Sequence, residues 1–179
     1  MDNFWHIFFI WLHILGVALF VGPQFFLALA VIPATRQIED MKSRVAAIRV
    51  VTRRFGYVGG AGLALIVAAG SYLIADWRDY YAVPDDIGFT DLRFGVVFIV
   101  KMSLLVAMLA IVALHMFYLG PKQIETMEAQ ANGERISEDE VRKARIQSIA
   151  ASATGLAIAL VLMVMGAMLN TANWSMQPS

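Results

Sequence analysis

The sequence predicts an all-α integral membrane protein, a bundle of four transmembrane helices. Three observations predict this class: 59% of the 179 residues are hydrophobic, only 16% are charged, and the mean hydropathy is +0.66. Soluble domains carry about 25% charged residues, so the composition excludes an ordinary soluble domain. The apolar residues are concentrated in four long stretches, and the whole chain, residues 1–179, is expected to form one domain around them.

The four stretches set the bounds of the predicted helices. Each supplies the roughly 20 residues that a helix needs to cross about 30 Å of hydrocarbon. The first stretch has no basic start and no obvious cleavage site, so it is expected to stay as a helix rather than to be removed as a signal peptide. The predicted spans cover residues 4–33, 55–75, 94–120 and 149–170.

The distribution of Lys and Arg predicts which side of the membrane each connection faces. The first and third connections hold eleven of these residues, whereas the second holds only Arg78 and Arg93. Because basic connections stay on the cytoplasmic side, both termini are expected outside, on the periplasmic face in a bacterium. The expected location is the bacterial inner (plasma) membrane, with the lipid bilayer as the first partner. The net charge of zero gives no indication of nucleic-acid binding.

The connections carry further predictions. Residues 35–54 alternate apolar and charged positions at helical spacing, which fits either an amphipathic helix on the inner membrane surface or an extension of the second span. The second connection is acidic and is interpreted as a solvated loop. Ser137 with Glu140 three residues later is the pattern of a capping box, so the fourth helix is expected to begin there. Gly56-x-x-x-Gly60 is expected to bring two helices close together.

Few ionisable groups lie within the apolar stretches, and these groups are the candidate site. The stretches contain no carboxylate, and the chain has no cysteine, which excludes disulfides, thiolate metal sites and covalently attached c-type haem. The candidates are Lys101, His13 and His115, with His6 near the outer end. An ionisable group at bilayer depth costs about 3 kcal/mol or more, so it usually faces the bundle interior and serves a function.

Depth separates these candidates into two groups. With each span centred in the bilayer and about 1.5 Å of rise per residue, His13 and Lys101 lie about 8–9 Å to the outer side of the centre. Met165 falls at a similar depth, whereas His115 lies about 12 Å to the inner side. His13 and His115 are therefore not expected to share one metal ion.

Two sets of residues recur at a spacing of seven, which is close to two helical turns. Each set is expected to lie on one face of its helix, turned toward the bundle interior. The sets are His6, His13 and Phe20 on the first helix, and Lys101, Met108 and His115 on the third.

Three chemistries could use the outer group of residues. His13 could be the axial ligand of b-type haem, which needs no cysteine, while Lys101 and Arg93 pair with the haem propionates. His13 and Met165 form a soft ligand set that suits copper(I). His13 and Lys101 could also relay protons. The alternatives are that His13 only hydrogen-bonds between helices and that Lys101 extends to the outer membrane interface. The further cofactor-binding candidates are His6 and His115.

Several motifs resemble those of the CopD-like (copper resistance D) family of integral membrane proteins. Residues 11–22, Trp-Leu-His-Ile-Leu-Gly-Val-Ala-Leu-Phe-Val-Gly, are similar to the first helix of that family. The Arg-Arg-Phe of residues 53–55 and the Gly-Ser-Tyr-Leu of residues 70–73 resemble the start and end of its next helix. Phe-Gly at residues 94–95, followed by Lys-Met-Ser-Leu-Leu at residues 101–105, resembles a later signature.

A more distant resemblance links the chain to the HemJ-type protoporphyrinogen oxidases, which are also four-helix membrane proteins. This resemblance implies that His13 is the haem- or porphyrin-associated histidine and that Lys101 is its lysine partner. The chain departs from that family after Gly22, where Pro-Gln-Phe-Phe stands in place of Tyr-Leu-Pro-Arg. It also lacks the Met- and His-rich outer segments of a dedicated copper transporter.

The expected function is that of a membrane protein that binds b-type haem, or a related porphyrin, as a redox carrier or redox-linked subunit. Two alternatives stay open. One is copper transport or handling through His13 and Met165, and the other is a non-catalytic accessory subunit of a larger membrane complex. A membrane redox partner or a larger complex is therefore the expected protein partner, and the sequence leaves open whether the protein is an enzyme.

Overall fold

The computed structural model describes residues 3–179, which fold into four long helices with no β-strand among them. We number the helices α1 to α4. Two of them, α1 and α3, are continuous rods that contain a short π-helical turn. The bounds are Asn3–Phe26, Leu27–Val31 and Ile32–Thr35 for α1, Met41–Ala75 for α2, Arg93–Leu114, His115–Leu119 and Gly120–Ala131 for α3, and Glu138–Leu169 for α4.

Each of the four helices is long and apolar enough to cross a membrane, which confirms the prediction of an all-α, multi-pass membrane bundle. We call the end of the bundle that holds the α2–α3 connection the outer end, and the opposite end the inner end, following the predicted orientation. At the inner end the helices extend well beyond the predicted spans. α2 begins at Met41 rather than at residue 55, and α4 begins at Glu138 rather than at residue 149.

The prediction of a separate amphipathic helix on the membrane surface is wrong, and the alternative, an extension of the second span, is correct. α2 runs without interruption from Met41 to Ala75. Asp40 caps its start, because its Oδ2 accepts a hydrogen bond of 2.9 Å from the backbone N–H of Ser43. The start of α4 was correctly predicted, since the Ser137 hydroxyl accepts a hydrogen bond of 3.2 Å from the N–H of Glu140.

Wide π-helical turns interrupt α1 and α3 near their inner ends. They cover Leu27–Val31 and His115–Leu119, and each is closed by a backbone hydrogen bond to a carbonyl five residues earlier. A proline follows each turn by two residues, at Pro33 and Pro121. Proline lacks an N–H and its ring crowds the carbonyl four residues before it, which gives a physical reason for the wider turn.

The four helices form two hairpins. α1 packs along α2, α3 packs along α4, and the hairpins meet chiefly where α2 contacts the inner part of α3. Apolar side chains from three of the helices fill the buried centre between the hairpins. These buried residues are Phe20, Val21, Met108, Ala159 and Leu162.

A close helix crossing joins Gly16 of α1 to Gly62 of α2. A Cβ atom added to Gly16 would lie 2.7 Å from the carbonyl oxygen of Gly62, so only glycine allows this approach. The prediction that Gly56 and Gly60 mediate close packing is wrong, because a Cβ at either position meets no atom within 4 Å. A Gly-x-x-x-Gly pattern marks a smooth helix face but does not tell whether that face meets a neighbour.

An aromatic cluster closes the outer end of the bundle. The rings of Trp77 and Phe94 stack with centroids 5.1 Å apart, and Leu92 and Leu169 are buried beside them. The Tyr81 hydroxyl donates to the carbonyl oxygen of Leu169 at 3.3 Å. Burial raises the pKa of this phenol, so it keeps its proton and its role as a donor. The loop after α2 is thereby attached to the end of α4.

Candidate functional site

The residues spaced by seven lie on the inward faces of α1 and α3, as the spacing predicts. On α1, His6 is 6% and Phe20 is 5% exposed. On α3, Met108 is 2% exposed. The other members, His13, Lys101 and His115, are half-buried.

His13 is held in one orientation by α2. Its Nδ1 lies 3.0 Å from the carbonyl oxygen of Ile66, and because a carbonyl can only accept, Nδ1 must carry the proton. In the neutral ring, Nε2 then carries the lone pair. Gly70 makes room for the ring, since a Cβ at that position would lie 3.3 Å from His13 Cε1. A histidine whose Nδ1–H bonds to a backbone carbonyl is typical of metal ligation through Nε2.

Lys101 reaches from α3 to α4. Its Nζ lies beside Gly166, where an added Cβ would be 3.5 Å from the nitrogen. Among the described residues, 3–179, no carboxylate forms an ion pair with Lys101. α1 therefore carries a ring with a free nitrogen, and α3 carries a cation that an anionic group could neutralise.

His115 occupies a different level of the bundle. Its Nε2 lies 3.2 Å from the hydroxyl of Ser152 on α4, while its Nδ1 is buried with no hydrogen-bond partner in the part of the chain that is described. Ser152 and Gly166, the α4 neighbours of His115 and Lys101, are fourteen residues apart, which corresponds to about 21 Å along the helix. This separation places His115 well to the inner side of Lys101.

His6 forms a compact polar cluster at the outer end. Its Nδ1 donates to Asp76 Oδ2 at 2.9 Å, and its ring stacks on Tyr80 with centroids 3.4 Å apart and planes at 3°. Sequence reasoning missed both partners, because Asp76 is one of five aspartates in a connection that was interpreted as solvated. Within residues 3–179, no three His, Cys, Asp or Glu side chains gather in a way that could hold a metal ion. What the structure shows in this cluster is a hydrogen bond from His6 to Asp76 and a ring stack with Tyr80.

Arg93 is engaged by the C-terminal segment. One of its guanidinium nitrogens donates to the side-chain oxygen of Gln177 at 2.9 Å, and its backbone N–H donates to the Gln177 carbonyl at 3.0 Å. The guanidinium also lies over the ring of Trp174, 5.4 Å from its centroid, which is within the roughly 6 Å of a cation–π contact. Arg93 thus fastens the segment after α4 to the start of α3.

Met165 is half-buried on α4, next in sequence to Gly166 and so at the level of Lys101.

No family model, curated protein or solved structure matches this chain. The resemblance to the CopD-like and HemJ-type families therefore stays a prediction from short motifs. What the site can do chemically follows from the contacts of His13 and Lys101.

Proposed function

We propose that the protein binds b-type haem, or a related porphyrin, through His13 and acts as a redox carrier or redox-linked subunit in a bacterial inner membrane. The observation that carries the proposal is the hydrogen bond from His13 Nδ1 to the Ile66 carbonyl. It leaves Nε2 as the free donor atom and fixes the direction in which this atom points.

The residues present suit one axial position on a haem iron and one anionic substituent of the porphyrin ring. His13 would supply the axial nitrogen, and Lys101 would supply a cation for a propionate group within the membrane. A bound haem would supply reversible one-electron chemistry. The helices position both side chains, because Gly70 leaves space for the imidazole and Gly166 leaves space for the lysine head. The motifs that resemble CopD-like and HemJ-type proteins include both residues and support the same assignment.

Visible spectroscopy of the detergent-purified protein tests this function. We expect a Soret band that sharpens and shifts when dithionite reduces the sample, and we expect His13→Ala to lose it. His115→Ala is the matched control, because it removes a half-buried histidine that lies about 21 Å from the level of Lys101 along the bundle. A His13→Ala protein that keeps the full Soret band would overturn the assignment.

A colourless preparation would redirect the proposal to one of the two alternatives. Bound copper that is lost in both His13→Ala and Met165→Leu would indicate copper handling. Protein that is colourless, free of metal and recovered with larger membrane proteins would indicate an accessory subunit.

A further inference from the structure

The inner half of α2 carries an excess of positive charge. Between Met41 and Ala75 the helix has no carboxylate, whereas it holds five basic residues. One of them, Arg49, pairs with Glu128 of α3, and this contact turns that residue toward the bundle. The basic residues of α2 are Lys42, Arg44, Arg49, Arg53 and Arg54.

Two of these arginines share an exposed face with a tyrosine. Arg53 and Arg54 precede Tyr57 by four and three residues, so each arginine is a neighbour of the tyrosine on the helix surface. All three are exposed, Tyr57 to 63%. Arg53 Nε donates to the Tyr57 hydroxyl at 3.4 Å, which leaves the two terminal guanidinium nitrogens free. Within residues 3–179, no carboxylate forms an ion pair with either arginine.

The position of this group along α2 matches the level of lipid headgroups. Arg54 directly precedes Phe55, where the predicted membrane span begins. From Tyr57 toward the outer end, the same face is lined by the small exposed side chains of Ala61, Ala64 and Ala68. This smooth surface leaves space beside the helix for an extended alkyl chain.

We propose that Arg53, Arg54 and Tyr57 bind the headgroup of an anionic phospholipid of the inner leaflet, whose acyl chain lies along the alanine face of α2. Two guanidinium groups without an acidic partner suit a phosphate, which accepts paired N–H donors from arginine. Arginines near a membrane surface add binding energy toward anionic lipid, whereas they gain little from a zwitterionic one. The tyrosine orients Arg53 and supplies a ring at the boundary between headgroup and chain. The proposal does not depend on haem binding.

Native mass spectrometry of the full chain, released from detergent with phosphatidylglycerol or phosphatidylcholine of identical acyl chains, tests this site. We expect retained phosphatidylglycerol, and we expect Arg53→Gln with Arg54→Gln to weaken its binding roughly tenfold to thirtyfold. The matched control, Arg135→Gln with Lys143→Gln, removes the same charge from exposed inner positions that lie outside α2 and should bind as the unmodified protein does. Circular dichroism confirms folding, and if the double variant misfolds, Arg54→Gln alone should weaken binding several-fold (roughly fivefold).

Each other outcome overturns the proposal. Equal retention of the two lipids would show that the headgroup charge is not recognised. Equal loss in both double variants would show a general effect of charge rather than a site. Competition by glycerol phosphate as strong as by the intact lipid would assign the arginines to a soluble phosphate. A dimer that the Arg53 and Arg54 substitutions abolish, without bound lipid, would assign this face to a second copy of the chain.

Discussion

His13 on α1 donates its Nδ1 proton to the backbone carbonyl of Ile66 on α2, across 3.0 Å. The acceptor is a main-chain atom, so no side-chain substitution on α2 removes it directly. The orientation of the ring is therefore determined by how closely the two helices approach. Two glycines allow this approach: Gly62 lies at the helix crossing, and Gly70 lies against the imidazole.

A bulky residue at Gly70 should displace the His13 ring. The added Cβ would lie 3.3 Å from Cε1, and the branches of a leucine side chain would occupy the space of the imidazole. We expect Gly70→Leu to lower haem affinity roughly tenfold or more, measured as haem per protein after purification. Gly60→Leu is the control, because a Cβ there meets no atom within 4 Å. Equal haem content in both variants would contradict the proposed role of His13.

The crossing of α1 and α2 should be sensitive to a single methyl group. In Gly16→Ala the new Cβ would lie 2.7 Å from the Gly62 oxygen and 2.9 Å from the Ile66 nitrogen, which are backbone atoms that cannot move aside alone. We expect a loss of about 1–3 kcal/mol in the free energy of unfolding, measured in mixed micelles by circular dichroism. Gly56→Ala, which meets open space, should leave stability unchanged or slightly improved. A similar loss in both variants would indicate an effect of helix flexibility instead.

The fold could be predicted from the sequence because span number depends on the length of apolar stretches, which the chain shows directly. The predicted membrane spans stop short of the inner ends of α2 and α4, since hydropathy falls at the arginines although the helices continue beyond them. The Ser137 cap still predicted where α4 begins, whereas no such signal predicted that α2 begins at Met41. The common level of His13 and Lys101 is a prediction from helix rise, which is a local property. The pairing of His6 with Asp76 was not predictable, because it joins residues 70 positions apart through the packing of α1 on α2.

Removing the carboxylate of Asp76 should destabilise the outer end. His6 is 6% exposed, so without its partner the Nδ1–H is left buried and unbonded. We expect Asp76→Ala to cost about 1–2 kcal/mol of unfolding free energy, toward the lower end because Asp76 itself is a third exposed. His6→Phe removes the hydrogen bond to Asp76 but keeps an aromatic ring for the stack with Tyr80.

A double variant, with both positions substituted, measures the interaction energy between His6 and Asp76. Once His6 is phenylalanine, Asp76→Ala should cost less than in the unmodified protein, by a coupling energy of about 1 kcal/mol. Additive losses would mean that Asp76 acts through the helix end rather than through His6. Neither substitution should alter the Soret band, since the cluster contains no contact with His13.

Acidification should loosen the start of α2. Two hydrogen bonds from Ser43, through its side chain and its backbone, hold the pKa of Asp40 below its ordinary value. Because the folded-state pKa is the lower one, the cap stabilises the helix above the pKa of the unfolded chain and is lost as the pH falls through the folded-state pKa. The first turn, Met41–Arg44, should therefore exchange its amide hydrogens faster, relative to intrinsic rates, below about pH 4.

Asp40→Asn separates the charge of this cap from its hydrogen bond. Asparagine caps helices about as well as aspartate but does not titrate, so the protection of the first turn should no longer depend on pH. Asp40→Ala should show weak protection at every pH, because it removes the acceptor itself. Hydrogen exchange followed by mass spectrometry, with the three proteins compared at each pH, measures these differences on peptides that cover the start of α2. An unmodified protein whose protection follows that of Asp40→Asn throughout would show that the carboxylate is not what holds the first turn.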